Sequence, residues 1–399
     1  MDRDQKAYRV GYFTHTSIGV SETFLDKLLG TFALEFNVLF FCGEQQSQRS
    51  YPCAVRFLGF GESPIEQRYG SFLSRVRRRF TTSAYRIDAQ QRVFTRRFKR
   101  AMAQDGSRLD FAFIEYGTTA VVVAPYLERL GIPYAINFHG YDASASLGDQ
   151  AYRDRIKQVV RRAQFYIVPS QHLRRRVELI GLSDVPCHVL PYSPNYQHLP
   201  KSSVPAEPVV VSLGRLTGKK CPEALVMMAS LVLAEVPGVA FKFIGGGPLS
   251  RETQDLVNEL RVGGSVTLVG ELPHKESLEL IAAATLFVQH SVTSSTGDQE
   301  GFPVALAEAA ALGKVIVSTI HSGIVENVIH GRSGYLVQEH DYETMAKHVI
   351  ELLRNPALCK EMGHAGQKQI LEVAPPDYRE KQIVKLIGLS LENEQRINR

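Results

Sequence analysis

The chain alternates short apolar segments with helix-like segments, and a proline-rich stretch divides this alternation into two series. We predict seven strands before the stretch: Tyr8–Phe13, Phe36–Phe41, Ala54–Leu58, Leu109–Ile114, Tyr134–Phe138, Gln164–Val168 and His188–Leu190. We predict five after it: Val209–Leu213, Val239–Ile244, Val266–Val269, Leu286–Gln289 and Lys314–Ser318. Such alternation favours parallel strands with helices on both faces of the sheet.

The proline-rich stretch predicts where one domain ends and the next begins. It runs from Pro191 to Pro208, contains five prolines and has no helix or strand periodicity, as is typical of a linker. A chain of 399 residues is also long for a single core. We therefore predict an N-terminal domain over 1–195, a linker over 196–208 and a C-terminal domain over 209–375. A last helix over 376–399 is expected to pack across the junction.

Composition narrows the class of protein. Hydrophobic residues make up 44% and charged residues 22%, as in soluble globular proteins. No apolar run approaches the ~20 residues that span a bilayer, and the first residues do not resemble a signal peptide. The five cysteines are scattered and lack CxxC pairs, which predicts reduced thiols rather than a disulfide framework or a zinc site. We expect a cytoplasmic protein.

The segment Ser291–Leu312 carries the most specific functional pattern. A polar run ends in Glu300, and a helix former's sequence follows, with Gly301 allowing close backbone approach and Pro303 suiting a first helical turn. The amides of a helix N-terminus bind anions, and Glu308 follows Glu300 by about two turns. One ligand with hydroxyls and phosphate, such as a nucleotide sugar, could contact both carboxylates. Alternatively, the glutamates only stabilise the helix N-terminus.

Two further groups of residues follow predicted strands, where α/β sheets place ligands. His139 and Asp142 form His-Gly-x-Asp after Tyr134–Phe138, although a single histidine is more often structural. Arg215 and Lys220 follow Val209–Leu213 in a glycine-containing loop that suits a diphosphate. The spacing is not GxxxxGK[ST], which excludes a P-loop, and a solvated basic turn is the alternative.

These motifs together resemble the retaining glycosyltransferases of family 4, with His-Gly-x-Asp, a Gly-Arg-Leu…Lys segment and a Glu-x7-Glu pair in that order along the chain. The phrase Ser21-Glu22-Thr23-Phe24 also resembles the opening of bacterial exopolysaccharide glycosyltransferases of the colanic-acid and amylovoran type. The resemblance implies an α/β protein of the GT-B fold. That fold has two Rossmann-like doubly wound domains, a cleft between them and a C-terminal helix that crosses back.

The resemblance also implies roles for residues. The catalytic set is His139, Arg215, Lys220 and Glu300. The donor-binding set is Gly19, Asp142, Gly214, Gly246, Leu272, Gly301, Phe302, Pro303, Val304 and Glu308. Glu300 would contact the hydroxyls of the donor sugar, Glu308 the ribose, and Arg215 with Lys220 the pyrophosphate. The chain departs from the family at Pro303 and Cys221, where many relatives carry glycine. Proline has no backbone N–H, so Pro303 removes one amide that could contact the phosphate.

The implied function is retaining transfer of a sugar from a UDP- or GDP-sugar to an acceptor. The acceptor would be a saccharide or a lipid-linked oligosaccharide in surface polysaccharide biosynthesis, and neither a metal nor a cofactor is expected. Alternatives are another GT-B enzyme, such as a nucleotide-sugar epimerase or a phosphorylase, and a non-catalytic nucleotide-sugar-binding module.

The segment Glu66–Arg108 has an unusual charge. It contains twelve basic and three acidic residues, a net charge of +9 in a chain of net charge +5. A basic amphipathic helix suits an anionic membrane, which predicts a peripheral location on the inner face of the cytoplasmic membrane. The alternative is a solvated helix packed on its own domain. Nucleic acid is not expected as a partner, because no recognition motif accompanies the charge.

Overall fold

The computed structural model describes residues 8–19, 22–44, 50–60, 83–106, 108–203 and 205–397. The chain divides into two compact units, one formed by Met1–Leu190 with Glu380–Arg399 and the other by Pro191–Arg379. The stretch 196–208, predicted as a linker, is therefore counted with the second unit, and nearly all of the last helix with the first.

The first unit contains a seven-stranded parallel sheet of order β3-β2-β1-β4-β5-β6-β7. Its strands are β1 (Arg9–Thr16), β2 (Asn37–Glu44), β3 (Ala54–Phe57), β4 (Phe111–Glu115), β5 (Tyr134–Asn137), β6 (Phe165–Val168) and β7 (Cys187–Val189). Its helices are α1 (Thr23–Glu35), α2 (Ser83–Asp105), α3 (Gly117–Arg129), α4 (Gln150–Val160) and α5 (Gln171–Glu178). Every residue of β4, β5 and β6 is buried, as expected for strands covered on both faces.

The second unit contains a six-stranded parallel sheet of order β10-β9-β8-β11-β12-β13. Its strands are β8 (Val209–Leu213), β9 (Ala240–Ile244), β10 (Val266–Gly270), β11 (Leu286–Val288), β12 (Val315–Thr319) and β13 (Gly334–Val337). Its helices are α6 (Pro222–Glu235), α7 (Ser250–Glu259), α8 (His274–Ala282), α9 (Val304–Ala311), α10 (Ile324–Asn327), α11 (Tyr342–Arg354) and α12 (Pro356–Val373). In each sheet the strands are first added on one side of the first strand, β1 or β8, and then on its other side. Parallel sheets bind ligands at such a switch point, beside the carboxyl ends of the strands.

The last helix, α13 (Tyr378–Ile397), packs on the core of the first unit. Ile383, Ile387 and Leu391 recur every four residues and are buried with the side chains of β1 and α1. An ion pair of 3.3 Å between Lys27 and Glu380 lies beside them. Helical periodicity therefore explains why this segment joins the first unit.

Helix α2 is amphipathic, and its apolar face belongs to the core. Ile87, Phe94, Phe98 and Ala101 are buried, and the rings of Phe94 and Phe98 stack 5.2 Å apart. The remaining basic part of the segment, over residues 66–82, lies outside the described residues. Within the described part of the chain, no helix is both long and apolar enough to cross a bilayer.

Candidate functional site

The predicted pyrophosphate and sugar residues meet at the carboxyl end of the second sheet. Lys220 follows β8 and Glu300 lies in the loop between β11 and α9, yet Lys220 Nζ is 2.8 Å from Glu300 Oε1. Their side chains are 16% and 8% exposed, so the pair is shielded but reachable. Ser291 Oγ also donates to Glu300 Oε1 at 3.2 Å. Two of the four predicted catalytic residues are thus in direct contact.

The loop after β9 approaches the loop after β8 so closely that side chains are excluded. A Cβ on Gly245, which has φ of +128°, would lie 2.1 Å from the carbonyl oxygen of Gly214. The amide of Leu216 donates to the carbonyl of Gly246 at 2.8 Å. Gly214 itself packs against the side chain of Lys220. A Cβ added to Gly214 would lie 3.2 Å from Cε of that lysine. These glycines therefore fix the loop that carries Arg215 and Lys220.

Electrostatics hold Glu300 as a carboxylate. Burial alone would raise its pKa, but the positive charges of Lys220 and Lys219 outweigh burial, and the pKa falls to about 2. Lys219 contacts Asp298 on the same loop at 3.1 Å. Burial opposes the charge of Lys219, whereas Glu300 and Asp298 favour it, and its pKa is raised. Lys219 and Lys220 thus each form an ion pair with a carboxylate, Asp298 and Glu300, where a diphosphate is predicted to bind.

Pro303, expected in the first turn of the helix after Glu300, lies just before that helix. Helix α9 starts at Val304, and Pro303 precedes it with extended backbone angles of −65° and 111°. Gly301, Phe302 and Pro303 are buried beside the start of the helix, and Val304 is half-buried. The amides of the first turn have no partners within the helix, so they remain a candidate site for phosphate.

Glu308 has a partner that the sequence does not reveal. It is 3% exposed, and its Oε1 lies 2.7 Å from Nε2 of His274, the first residue of α8. This hydrogen bond, against the opposing effect of burial, raises the pKa of His274. Leu272, predicted to hold the base, lies two residues before His274 and is half-buried. The predicted ribose contact would then fall to Oε2, the carboxylate oxygen that does not face His274.

In the first unit, His139 contacts a fully buried carboxylate. Its Nε2 lies 2.7 Å from Oε2 of Glu115, the last residue of β4. Asn137 Nδ2 donates to the same oxygen at 2.7 Å, and Tyr12 Oη donates to the other oxygen. The ring of Tyr116 lies 4.1 Å from that of His139. The imidazole is therefore held in one orientation at the carboxyl end of this sheet.

Asp142 and Gly19 lie in the same part of the first unit. The carboxylate of Asp142 is 1% exposed and accepts hydrogen bonds from the amides of Gly117, His139 and Gly140 at 2.8, 3.0 and 3.0 Å. It thus shapes the loop that presents His139. The amide of Gly19 donates to Glu22 Oε2 at 2.7 Å, and Tyr116 Oη donates to Glu22 Oε1 at 2.6 Å.

Sequence reasoning leaves out several residues that complete these sites: His274, Lys219, Asp298 and Glu115. Glu115 carries a detectable signal, since it is a single charge ending an otherwise apolar strand, FAFIE. His274 carries none, because its partner is distant in sequence. Arg215, in contrast, is predicted from the sequence, and its exposed side chain lies near Lys219. Among the described residues, no group of three or more His, Cys, Asp or Glu side chains is arranged to hold a metal ion.

Comparison with known families covers both units. Residues 33–193 match the family described as glycosyl transferase 4-like domain, and residues 198–369 match glycosyl transferases group 1. A protein of Salmonella typhimurium named as a colanic acid biosynthesis glycosyltransferase, WcaL, is 32% identical over 250 residues. That match spans 61% of this chain and 61% of WcaL, so the chain aligns with about three fifths of its relative. AmsK of Erwinia amylovora, an amylovoran biosynthesis glycosyltransferase, is 32% identical over 37% of this chain and 36% of its own.

Among solved structures, HepE of Anabaena in complex with UDP-glucose superimposes with a TM-score of 0.75. The superposition covers 96% of this chain and 99% of HepE at 16% identity, which is evidence for the fold alone. The predicted GT-B fold, with its two Rossmann-like units, is confirmed. Residues 33–193 therefore belong to the glycosyl transferase 4-like domains, and residues 198–369 to the glycosyl transferases group 1.

Proposed function

We propose that the protein transfers a sugar from a nucleotide diphosphate to a saccharide acceptor in exopolysaccharide biosynthesis, with retention of configuration. The observation that carries the proposal is the 2.8 Å contact between Lys220 and Glu300 at the carboxyl end of the second sheet. In this contact a cation that suits phosphate stands beside a carboxylate that suits sugar hydroxyls, which supports the proposal. Its relatives WcaL and AmsK are named for exopolysaccharide biosynthesis, and HepE was solved with UDP-glucose.

The chemistry follows from where charge develops. As the bond between the anomeric carbon and the β-phosphate oxygen breaks, its electron pair leaves with the phosphate. Lys220, Arg215 and the first-turn amides of α9 stabilise that negative charge. The acceptor oxygen bonds to the anomeric carbon from the same face, and its proton passes to the departing phosphate oxygen. Glu300 meanwhile orients the sugar through its hydroxyls.

The acceptor and the location are part of the proposal. A lipid-linked oligosaccharide would lie on a membrane surface, and α2 presents six exposed cations: Arg86, Arg92, Arg96, Arg97, Lys99 and Arg100. Only two acidic residues lie on the same helix, Asp88 and Asp105. Because its apolar face is buried in the core, α2 would dock on the anionic inner face of the cytoplasmic membrane by charge alone.

A thermal-shift screen of UDP- and GDP-sugars tests the donor class, and product analysis of the selected donor tests the reaction. We expect one nucleotide sugar to raise the melting temperature more than its free nucleotide. Nuclear magnetic resonance should then show the donor's anomeric configuration in the product. Inverted configuration would contradict retention. Free sugar released without any acceptor would indicate an epimerase, and binding without turnover would indicate a sugar-binding module.

A further inference from the structure

The backbone of Glu300 is held from both sides by the turn that follows β12. The amide of Glu300 donates to Nε2 of His321 at 3.1 Å. The hydroxyl of Ser322 donates to the carbonyl of Glu300 at 2.5 Å. The loop from 289 to 303 has no helix or strand of its own, so these contacts from a neighbouring strand end fix where Glu300 stands.

The hydrogen bonds define the tautomer of His321. Nε2 accepts from an amide and therefore carries no proton, so the proton of the neutral ring lies on Nδ1. Nδ1 donates to Oε1 of Glu339 at 2.6 Å. The ring is 2% exposed, so water does not compete for either contact.

Glu339 ties together two points of the same loop. Its Oε2 accepts from the amide of Thr293 at 2.9 Å, while its Oε1 holds His321 and, through the ring, Glu300. Burial opposes the charge of Glu339, but its hydrogen bonds with His321 and Thr293 outweigh burial and lower its pKa. A carboxylate just after β13 thus braces the loop that ends at the predicted sugar-binding residue.

We propose that His321, oriented by Glu339, is a positioning residue that sets the Glu300 carboxylate against Lys220 for sugar transfer. The inference rests on the proposed function, in which Glu300 contacts the donor sugar. Two contacts place the carboxylate, one to Lys220 at 2.8 Å and one to Ser291 at 3.2 Å. Any shift of the Glu300 backbone shifts both, and a misplacement of about 1 Å can cost roughly 100-fold in rate.

The test compares His321→Ala, His321→Gln and Glu300→Ala with a matched control, His330→Ala. His330 makes the same kind of bond, with its Nδ1 accepting from the amide of Leu336 at 3.0 Å, but it does not hold the 289–303 loop. The probes are UDP-glucose and GDP-mannose as donors, with UDP and GDP as the free nucleotides. Hydrogen exchange of the peptide that contains Glu300 gives a readout that needs no donor.

We expect His321→Ala to lower kcat by roughly 10- to 100-fold while the Kd of the free nucleotide stays within about threefold. His321→Gln, whose amide oxygen can accept from Glu300, should recover part of kcat. The Glu300 amide should exchange at least about tenfold faster in His321→Ala and at the normal rate in His330→Ala.

Four outcomes would overturn the inference. Normal kcat in His321→Ala beside an inactive Glu300→Ala would reject positioning and leave the proposed function intact. If His321→Ala lowered nucleotide affinity and melting temperature together with kcat, His321 would have a structural role only. Full activity of Glu300→Ala, or unchanged exchange at its amide in His321→Ala, would remove the premise that His321 positions a functional carboxylate.

Discussion

At the scale of single residues, the proposed transfer depends most on the charges of Lys220 and Arg215. We expect Lys220→Ala and Arg215→Ala each to lower kcat/KM by at least ~100-fold, because their contacts strengthen as the diphosphate leaves. Initial rates with the donor selected by thermal shift measure this. Lys220→Arg keeps the cation beside Glu300 and should retain more activity. Lys275→Ala removes an 87% exposed lysine and serves as the control. Near-normal turnover in both alanine variants would refute the pyrophosphate assignment.

Glu308 tests the ribose contact. One of its oxygens is engaged by His274, and the other is available for a hydroxyl. Glu308→Ala should weaken nucleotide binding by about 10- to 150-fold, since a hydrogen bond to a charged group contributes roughly 1.5–3 kcal/mol. Calorimetry with UDP and GDP measures the change. Glu279→Ala, on the exposed face of α8, is the matched control. Unchanged affinity in Glu308→Ala would exclude this residue from the site.

The positions of the site residues are predictable where they end buried strands, but their partners are not. Lys220 and His139 each follow a strand at the edge where parallel sheets bind ligands, so the pattern alone locates them. His274 contacts Glu308, and His321, held by Glu339, contacts the backbone of Glu300. These three residues belong to other elements, so no local sequence pattern predicts the contacts. The place of Pro303 is mispredicted for a different reason, because proline is compatible with a first helical turn, yet Pro303 takes extended angles just before α9.

At the scale of elements, each predicted strand overlaps a strand of the structure. The central strands β4, β5 and β6 are the easiest to predict, because strands buried on both faces are nearly continuous apolar runs. Strand β13 is not predicted, since it begins with a glycine, Gly334, directly after a polar turn over residues 331–333. The basic segment is ambiguous from sequence, because helical spacing of Phe94 and Phe98 suits both a core and a membrane. The structure assigns those two rings to the core.

Helix α2 provides the membrane prediction. Each exposed cation near an anionic surface contributes about 1 kcal/mol, and salt screens it over roughly 10 Å at 0.1 M. Changing Arg92, Arg96, Lys99 and Arg100 together to Gln should strongly reduce sedimentation with anionic vesicles at low salt and leave donor binding unchanged. Glutamine keeps the helix propensity, so the core face is preserved.

The control for the α2 variant removes four positive charges from helices of the second unit instead. Arg251, Lys275, Lys347 and Lys360 are exposed on helices of the second unit, and their change to Gln lowers the net charge equally. That variant should still sediment with anionic vesicles. Equal sedimentation with neutral vesicles, or none with anionic ones, would return α2 to a solvated helix of its own domain.

At the scale of the whole molecule, positive charge is concentrated after β8, and this concentration bears on whether a metal ion is needed. The net charge is only +5, yet Arg215, Lys219 and Lys220 lie together after β8. Glu300 and Asp298 partly neutralise them before the donor binds. Each ammonium has three donors, so both lysines can hold phosphate without leaving their carboxylates. In the proposed reaction these cations would be the counter-charges of the diphosphate.

We therefore predict that the complete enzyme transfers sugar without a divalent metal. After treatment with EDTA and removal of the chelate, the rate should stay within about twofold of the untreated rate, because Lys220, Arg215 and the α9 amides take the role that Mg²⁺ plays elsewhere. Melting temperature measured in parallel separates catalytic from structural effects of chelation. Added Mn²⁺ or Mg²⁺ should then change kcat little. Loss of activity with EDTA that either ion restores would show that the lysines alone do not neutralise the leaving diphosphate.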